Sequence, residues 1–261
     1  MKRATIFPTK TLPFFIVITL SFSCLSQEIA KKSRLGIEVS GGYEYSFLED
    51  FNEELVRNQF ADVFSHDLNS GWSISASPTF QFNRFLNAGI DITYRSYHIS
   101  GFKSDLFFAD LEIGGPSFSY DIQRDIHLNN LGFGIKTTIY FDQLRDKRED
   151  SKFNFGLDLK GNYVRGKYKN VQTLYNHNEN EGNANTKSAK FNYWTFRVGL
   201  TMKRKFDKHI FRSIILKSGW NQSINAEVPI TNIFGEYEKL KVDLSGFYIE
   251  LCIELGWPNK K

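Results

Sequence analysis

The chain has 261 residues, 41% of them hydrophobic and 24% charged, with 33 Lys and Arg against 29 Asp and Glu. Its mean hydropathy of -0.37 is too low for a helical membrane protein, while 16% aromatic residues is high for a soluble enzyme. Three bases lie near the start (Lys2, Arg3 and Lys10), so the rest carries 30 bases against 29 acids. That balance shows no polybasic drive toward nucleic acid or anionic lipid.

Those bases precede an apolar stretch, Leu12–Phe22, and Ser23-Cys24-Leu25-Ser26 supplies small residues before Gln27. The order reads as an export leader, Met1–Ser26, ahead of one domain, Gln27–Lys261. Eleven apolar-rich residues are fewer than the roughly 20 that a spanning helix needs, although a retained anchor stays open. Acylation of Cys24 is a further alternative, despite the missing aliphatic residue three positions before it. With the leader removed, Cys252 is the remaining cysteine, so no disulfide framework is expected.

Beyond the leader the chain alternates with period two. From Arg34 to Tyr45, Leu35, Ile37, Val39, Tyr43 and Tyr45 face one way, and Arg34, Glu38, Ser40 and Glu44 the other. Gly71–Asn83 repeats the pattern with Trp72, Ile74, Ala76, Pro78, Phe80 and Phe82. Further strands are expected at Phe85–Tyr97, Leu128–Phe141, Phe153–Arg165, Asn192–Lys205, His209–Trp220 and Phe247–Trp257. The seventh is ambiguous, because Ile210, Ile214 and Leu216 compete with Phe211 and Ile215 for the apolar face. Strands of about ten to twelve residues suit a tilted membrane wall better than a soluble sheet. The fold class is therefore an all-β, antiparallel, up-and-down transmembrane β-barrel of about eight strands. Ten remain open, because the segment around Gly114-Gly115-Pro116 reads either as an extended hairpin in a loop or as two more wall strands.

The connections alternate in length. Ser46–Ser70, His98–His127, Gly166–Phe191 and Asn221–Val242 are long, while Arg84, Asp142–Lys152 and Phe206–Lys208 are short. Long loops outside and short turns in the periplasm are the pattern of a bacterial barrel. Trp72, Trp194 and Trp220 fall at the outer ends of strands with Tyr43, Tyr45 and Tyr94, and Trp257 falls at the inner end near Phe82, Phe141 and Phe206. These positions fit two aromatic girdles at the membrane interfaces. A soluble, exported, lipocalin-like barrel with an aromatic core is the competing architecture.

The leader, the alternation and the final aromatic strand resemble small outer-membrane β-barrel proteins of the OmpA/OmpX-like kind. The resemblance covers nearly all of Gln27–Trp257 but carries no signature motif, and Pro258-Asn259-Lys260-Lys261 follow the terminal aromatic that such proteins commonly end on. It implies location in the cell outer membrane and contact with membrane lipids and lipopolysaccharide. It further implies handling by periplasmic chaperones and barrel-assembly machinery, a monomer, and no nucleic-acid partner.

Ten charged residues take inward positions: Glu38, Asp91, Arg95, Lys136, Asp158, Lys160, Arg197, Lys203, Glu250 and Glu254. In eight strands the interior is just wide enough for side chains to fill, so these charges are expected to pair and plug the lumen, with a narrow gated channel as the alternative. In the first long loop, Phe51, Leu55, Phe60, Val63 and Phe64 fall at helical spacing, which predicts a short amphipathic helix at the mouth. Lys169–Lys190 is Asn-rich and reads as a mobile surface loop. His98 and Ser100 share one face of the third strand and offer a base–nucleophile pair, with a two-residue likeness to the His-x-Ser element of lipid A deacylases. The other histidines (His66, His127, His177 and His209) show no metal-ligand spacing, and phosphate-loop and dinucleotide fingerprints are absent. No cofactor or metal is expected, and the reading is a non-enzymatic barrel, with the acyl hydrolase or the lipocalin-like binder as alternatives.

Overall fold

A computed structural model describes residues 34–57, 63–108, 118–141, 152–176, 182–206, 210–231 and 237–256. The leader, Cys24, Phe60, the 114–116 segment, His177, His209 and Trp257 lie outside these residues. Eight strands close into a barrel: β1 (Arg34–Ser46), β2 (Ser70–Gln81), β3 (Leu86–Phe108), β4 (Phe118–Tyr140), β5 (Phe153–Asn176), β6 (Gly182–Lys205), β7 (Phe211–Ile224) and β10 (Gly246–Gly256). From β1 to β7 each pairs antiparallel with the next in sequence, β7 pairs with β10 across the intervening hairpin, and β10 closes the ring on β1. A hairpin of β8 (Glu227–Thr231) and β9 (Tyr237–Lys241) stands apart from the ring.

Register sets the tilt. Ladder partners run from Leu200 through Ser218, Ile249, Tyr43, Trp72, Ser96, Asn129 and Lys167, and return to β6 at Lys190, ten residues from the start. A shear of ten over eight strands inclines them by about 40° to the barrel axis. At that tilt Tyr43, Trp72, Tyr94, Tyr163, Trp194, Trp220 and Phe247 stand within about 7 Å of one level. Toward the turn end, Phe82, Phe141, Phe153 and Phe206 form a second aromatic ring. On β5, Phe153 and Tyr163 are ten residues apart, which is about 25 Å of height and matches a membrane barrel's apolar band.

Between the rings the barrel is inside-out. Leu200 is 66% exposed, Ile90 58% and Leu251 56%, whereas Asp91, Lys217 and Glu250 inside are at most 1% exposed. An apolar exterior around a charged core is stable only against lipid, so this is a transmembrane β-barrel of the outer-membrane type. The alternation that puts Leu251 outside puts Glu250 and Cys252 inside.

Beyond the aromatic ring the architecture changes. β3 and β4 continue as a paired ribbon from His98↔His127 out to Phe108↔Phe118, so the described part of the expected second loop is an extension of two wall strands. The described Phe118–Tyr120 belongs to this ribbon and not to a further wall pair, and the ring holds eight strands. Likewise Lys169–Tyr175 pairs with Gly182–Ser188, so these parts of the expected mobile loop are sheet. The inner face of β4 and β5 alternates just as the wall does, with Ile122, Ile126, Leu128 and Tyr168 buried, whereas Asn183–Ser188 on β6 are exposed and are held by their ladder to β5.

That face meets the first loop and the β8–β9 hairpin in one apolar core that includes Leu48, Phe51, Val63, Phe64, Val228 and Leu244. Of the expected mouth helix, α1 (Glu49–Asn52) continued by a wider turn to Arg57 is present with Phe51 and Leu55, whereas Val63 and Phe64 are not helical and join the core from the loop. Phe51 is fully buried, its ring edge-on to Tyr168 at 5.9 Å between centroids. Asn52 anchors the loop: its carbonyl accepts from Leu68 N–H at 2.8 Å, and its amide donates to Asn69 at 2.8 Å. The turn from β7 into β8 bends at Asn225, whose φ of 59° suits asparagine.

Leu251→Arg places a cation near the middle of the apolar band and is expected to destabilise the barrel by about 2–4 kcal/mol. Equilibrium urea unfolding in phospholipid vesicles measures this.

Candidate functional site

All ten charges expected in the lumen are buried, and two others join them, Glu44 and Lys217. Six carboxylates (Glu38, Glu44, Asp91, Asp158, Glu250 and Glu254) thus face six cations (Arg95, Lys136, Lys160, Arg197, Lys203 and Lys217), and every one makes an ion pair. Glu44 sits on the same face of β1 as Glu38, so period two alone points to it. Lys217 was hidden by the ambiguous seventh strand. The rungs Glu250↔Lys217 and Cys252↔Ile215 settle β7, turning Ile214 and Leu216 to lipid and Ile215 and Lys217 inward, while the register shift at Glu254/Leu255 lies beyond them and affects only Phe211.

The pairs form three groups along the axis. Nearest the loop end, Glu44 takes Arg95 at 3.4 Å and also Arg197, which bridges to Glu250. Lys160 continues that chain, 3.2 Å from Glu250 and 3.4 Å from Asp91. Asp91 also accepts from Ser77 at 2.7 Å and Asn162 at 2.8 Å. The second group holds Lys217 between Glu38 at 2.9 Å and Asp158 at 3.0 Å, with Lys136 on Glu38. At the turn end Lys203 lies 2.5 Å from Glu254, which also accepts from Ser213 at 2.6 Å. Each charge is compensated locally, as burial of an ion requires.

Aromatic groups seal this stack. The Tyr248 ring lies under the Arg197 guanidinium, 4.7 Å from its centroid. Its hydroxyl stands where a Cβ on Gly199 would be, 2.1 Å away, so only glycine admits the ring there. Tyr97 donates to Glu44 at 3.1 Å and exchanges a 2.9 Å hydrogen bond with Ser46, which joins the lumen to the apolar core above. Cys252, the free thiol, is buried beside Ile215.

His98 and Ser100 lie on the outward face of the β3 ribbon, both exposed. His98 Nε2 is 3.6 Å from Asp125, and its ring stacks on His127 at 4.2 Å between centroids and 5° between planes. Among the described residues no hydrogen bond joins His98 to Ser100. Partial burial, then His98 and Lys169, hold the His127 imidazole below its ordinary range against the pull of Asp125. No cluster of three or more metal-ligating side chains occurs among the described residues.

No protein-family model matches the chain, and no curated protein matches it. Its fold is similar to several solved structures. Ail, the attachment invasion locus protein of Yersinia pestis, solved with the heparin analogue sucrose octasulfate, is 10% identical over 87% of this chain and 99% of its own, with a TM-score of 0.36. Neisserial surface protein A is 9% identical over 87% and 100%, at 0.35. The outer membrane protease OmpT of Escherichia coli is 8% identical over 88% and 97%, at 0.33. At such identities and scores these likenesses carry no argument about activity; the inverted surface carries the assignment of architecture.

Lys217→Met leaves Asp158 without its cation and is expected to cost about 3–5 kcal/mol, with Asp158→Leu in the same chain recovering most of it. Urea midpoints in detergent micelles measure both. The depressed His127 value means the folded state binds fewer protons than the unfolded one, so this group's contribution to stability is full above the ordinary imidazole pKa and falls with pH below it. In an imidazole NMR titration, His127 should titrate below free imidazole, and Lys169→Ala should raise its midpoint.

Proposed function

We propose that this protein is a closed, non-enzymatic barrel of the cell outer membrane that displays a rigid surface sheet outside the cell. The observation that carries the reading is the lumen, where six carboxylates and six cations are paired and buried. A conducting pore needs a continuous wet path, and this interior is filled by ion pairs and then capped by an apolar core containing Phe51, Leu68 and Leu244. Material spent on transport would leave polar groups solvated; here Arg197 is 1% exposed and Asp158 0%. What remains for function is the loop-end structure, a two-hairpin sheet from β3–β6 braced by the first loop and the β8–β9 hairpin. Its role is envelope structure or surface interaction.

The hydrolase reading would need Ser100 activated by His98, yet among the described residues no hydrogen bond joins the two, and the His98 ring instead stacks on His127. If His98→Ala leaves lipid A acylation unchanged in cells producing the protein, that alternative falls.

The lumen has its own reporter. Cys252 should resist a membrane-permeant maleimide in the folded barrel and react only after unfolding, and planar bilayers holding the protein should show no steady conductance. Rapid labelling together with open-channel currents would overturn the closed reading.

A further inference from the structure

The near-neutral net charge conceals a local imbalance. On the outward face of β5, Arg165, Lys167 and Lys169 follow one another at two-residue spacing, all exposed. Lys190 on β6 stands directly opposite Lys167. Like charges directly opposed across a ladder destabilise it, and among the described residues none of these four cations makes an ion pair. The carboxylate nearest on that face, Asp125 on β4, is already met by His98 at 3.6 Å and by Gln123 at 3.4 Å. The strip therefore presents uncompensated positive charge on a rigid sheet.

Its height says what it faces. Tyr163 and Trp194 pair across β5 and β6 at the aromatic ring, with centroids 5.2 Å apart. Each residue beyond them rises about 2.5 Å at the tilt of this barrel. Arg165 thus stands about 5 Å above the ring, and Lys167 and Lys190 about 10 Å above it. The polar layer on one face of a bilayer is about 5–8 Å thick, and long basic side chains reach toward it from slightly above. Arg165 stands at the level of lipid headgroups, above the lipid-facing rings of Tyr163 and Trp194, and Lys167 and Lys190 stand just over that level with side chains long enough to reach down into it.

We infer that Arg165, Lys167 and Lys190, with Lys169 above them, form a docking strip for the phosphate groups of an outer-leaflet glycolipid whose acyl chains lie against the wall at Tyr163 and Trp194. The inference rests on the transmembrane orientation proposed above and adds a partner and a site to it. The anion between Lys167 and Lys190 relieves their repulsion, and the acyl chains select a lipid over a free anion. Asn129 and Asn192 flank the cations on the neighbouring ladder positions and offer hydrogen-bond donors to the sugar.

The test uses the full mature chain in phosphatidylcholine vesicles doped with bisphosphorylated lipid A or with its dephosphorylated form. Lipid retained by the purified barrel is counted by mass spectrometry. The wild type should retain the phosphorylated form selectively, and the Arg165→Gln/Lys167→Gln/Lys190→Gln variant should bind it about a hundredfold more weakly, at roughly fivefold per cation. Lys167→Arg/Lys190→Arg should keep binding, and Lys241→Gln on the β9 hairpin should not change it. Equal retention by wild type and triple variant, or equal retention of the dephosphorylated lipid, overturns the inference. So does displacement by millimolar pyrophosphate, which marks a free-anion site, or tighter binding of a soluble sulfated polysaccharide. A chain that never enters the vesicles overturns the membrane reading with it, whereas an inserted chain without lipid selectivity refutes the strip alone.

Discussion

A backbone that crosses lipid finds no water to bond with, so every N–H and C=O between the two aromatic rings must pair with a neighbouring strand. Closure of β1 on β10 meets that demand, with a continuous ladder from Gly36↔Gly256 to Ser46↔Gly246. Once eight strands close with a shear of ten, the tilt, the radius and the level of each residue follow. The same geometry that gathers Tyr43, Trp72, Tyr163 and Trp220 onto one level leaves an interior only wide enough for side chains.

Filling that interior with charge is tolerable because the filling is matched. Each carboxylate has a cation within reach, and several cations serve two carboxylates, as Lys217 does for Glu38 and Asp158. The desolvation cost of twelve buried ions is offset only by such mutual neutralisation and by hydrogen bonds from Ser77, Asn162 and Ser213. The arrangement is worth less as a source of stability than as a specifier of register. A slip of one residue on any strand would turn its lumen charges into lipid.

Above the membrane the logic reverses into that of an ordinary soluble domain. The extensions of β3–β6 bury Ile126, Leu128 and Tyr168 against Phe51 and Val228, and face water with His98, Asp125 and Lys169. One chain thus carries two cores, an ionic one in lipid and an apolar one in water, joined where Tyr97 reaches Glu44. The stiffness of this upper part is what fixes the basic strip at a set height above the acyl chains.

Sequence alone determined the alternation, ten of the twelve inward charges and the outer aromatic residues Trp72, Trp194 and Trp220, while leaving eight or ten wall strands open. All of these depend on a local period of two, which reads directly from spacing. Tertiary structure decided the rest. It alone showed that β7 turns Lys217 inward, because the rung it shares with Glu250 on β10 is set by pairing and not by local hydrophobicity. It turned the described part of the Asn-rich stretch, Gly182–Lys190, into sheet, because the ladder to β5 continues through it. It also brought Lys167 and Lys190, 23 positions apart in the chain, onto one ladder rung at the lipid surface. A near-zero net charge could not reveal that, since a sum over residues carries no information about where they stand.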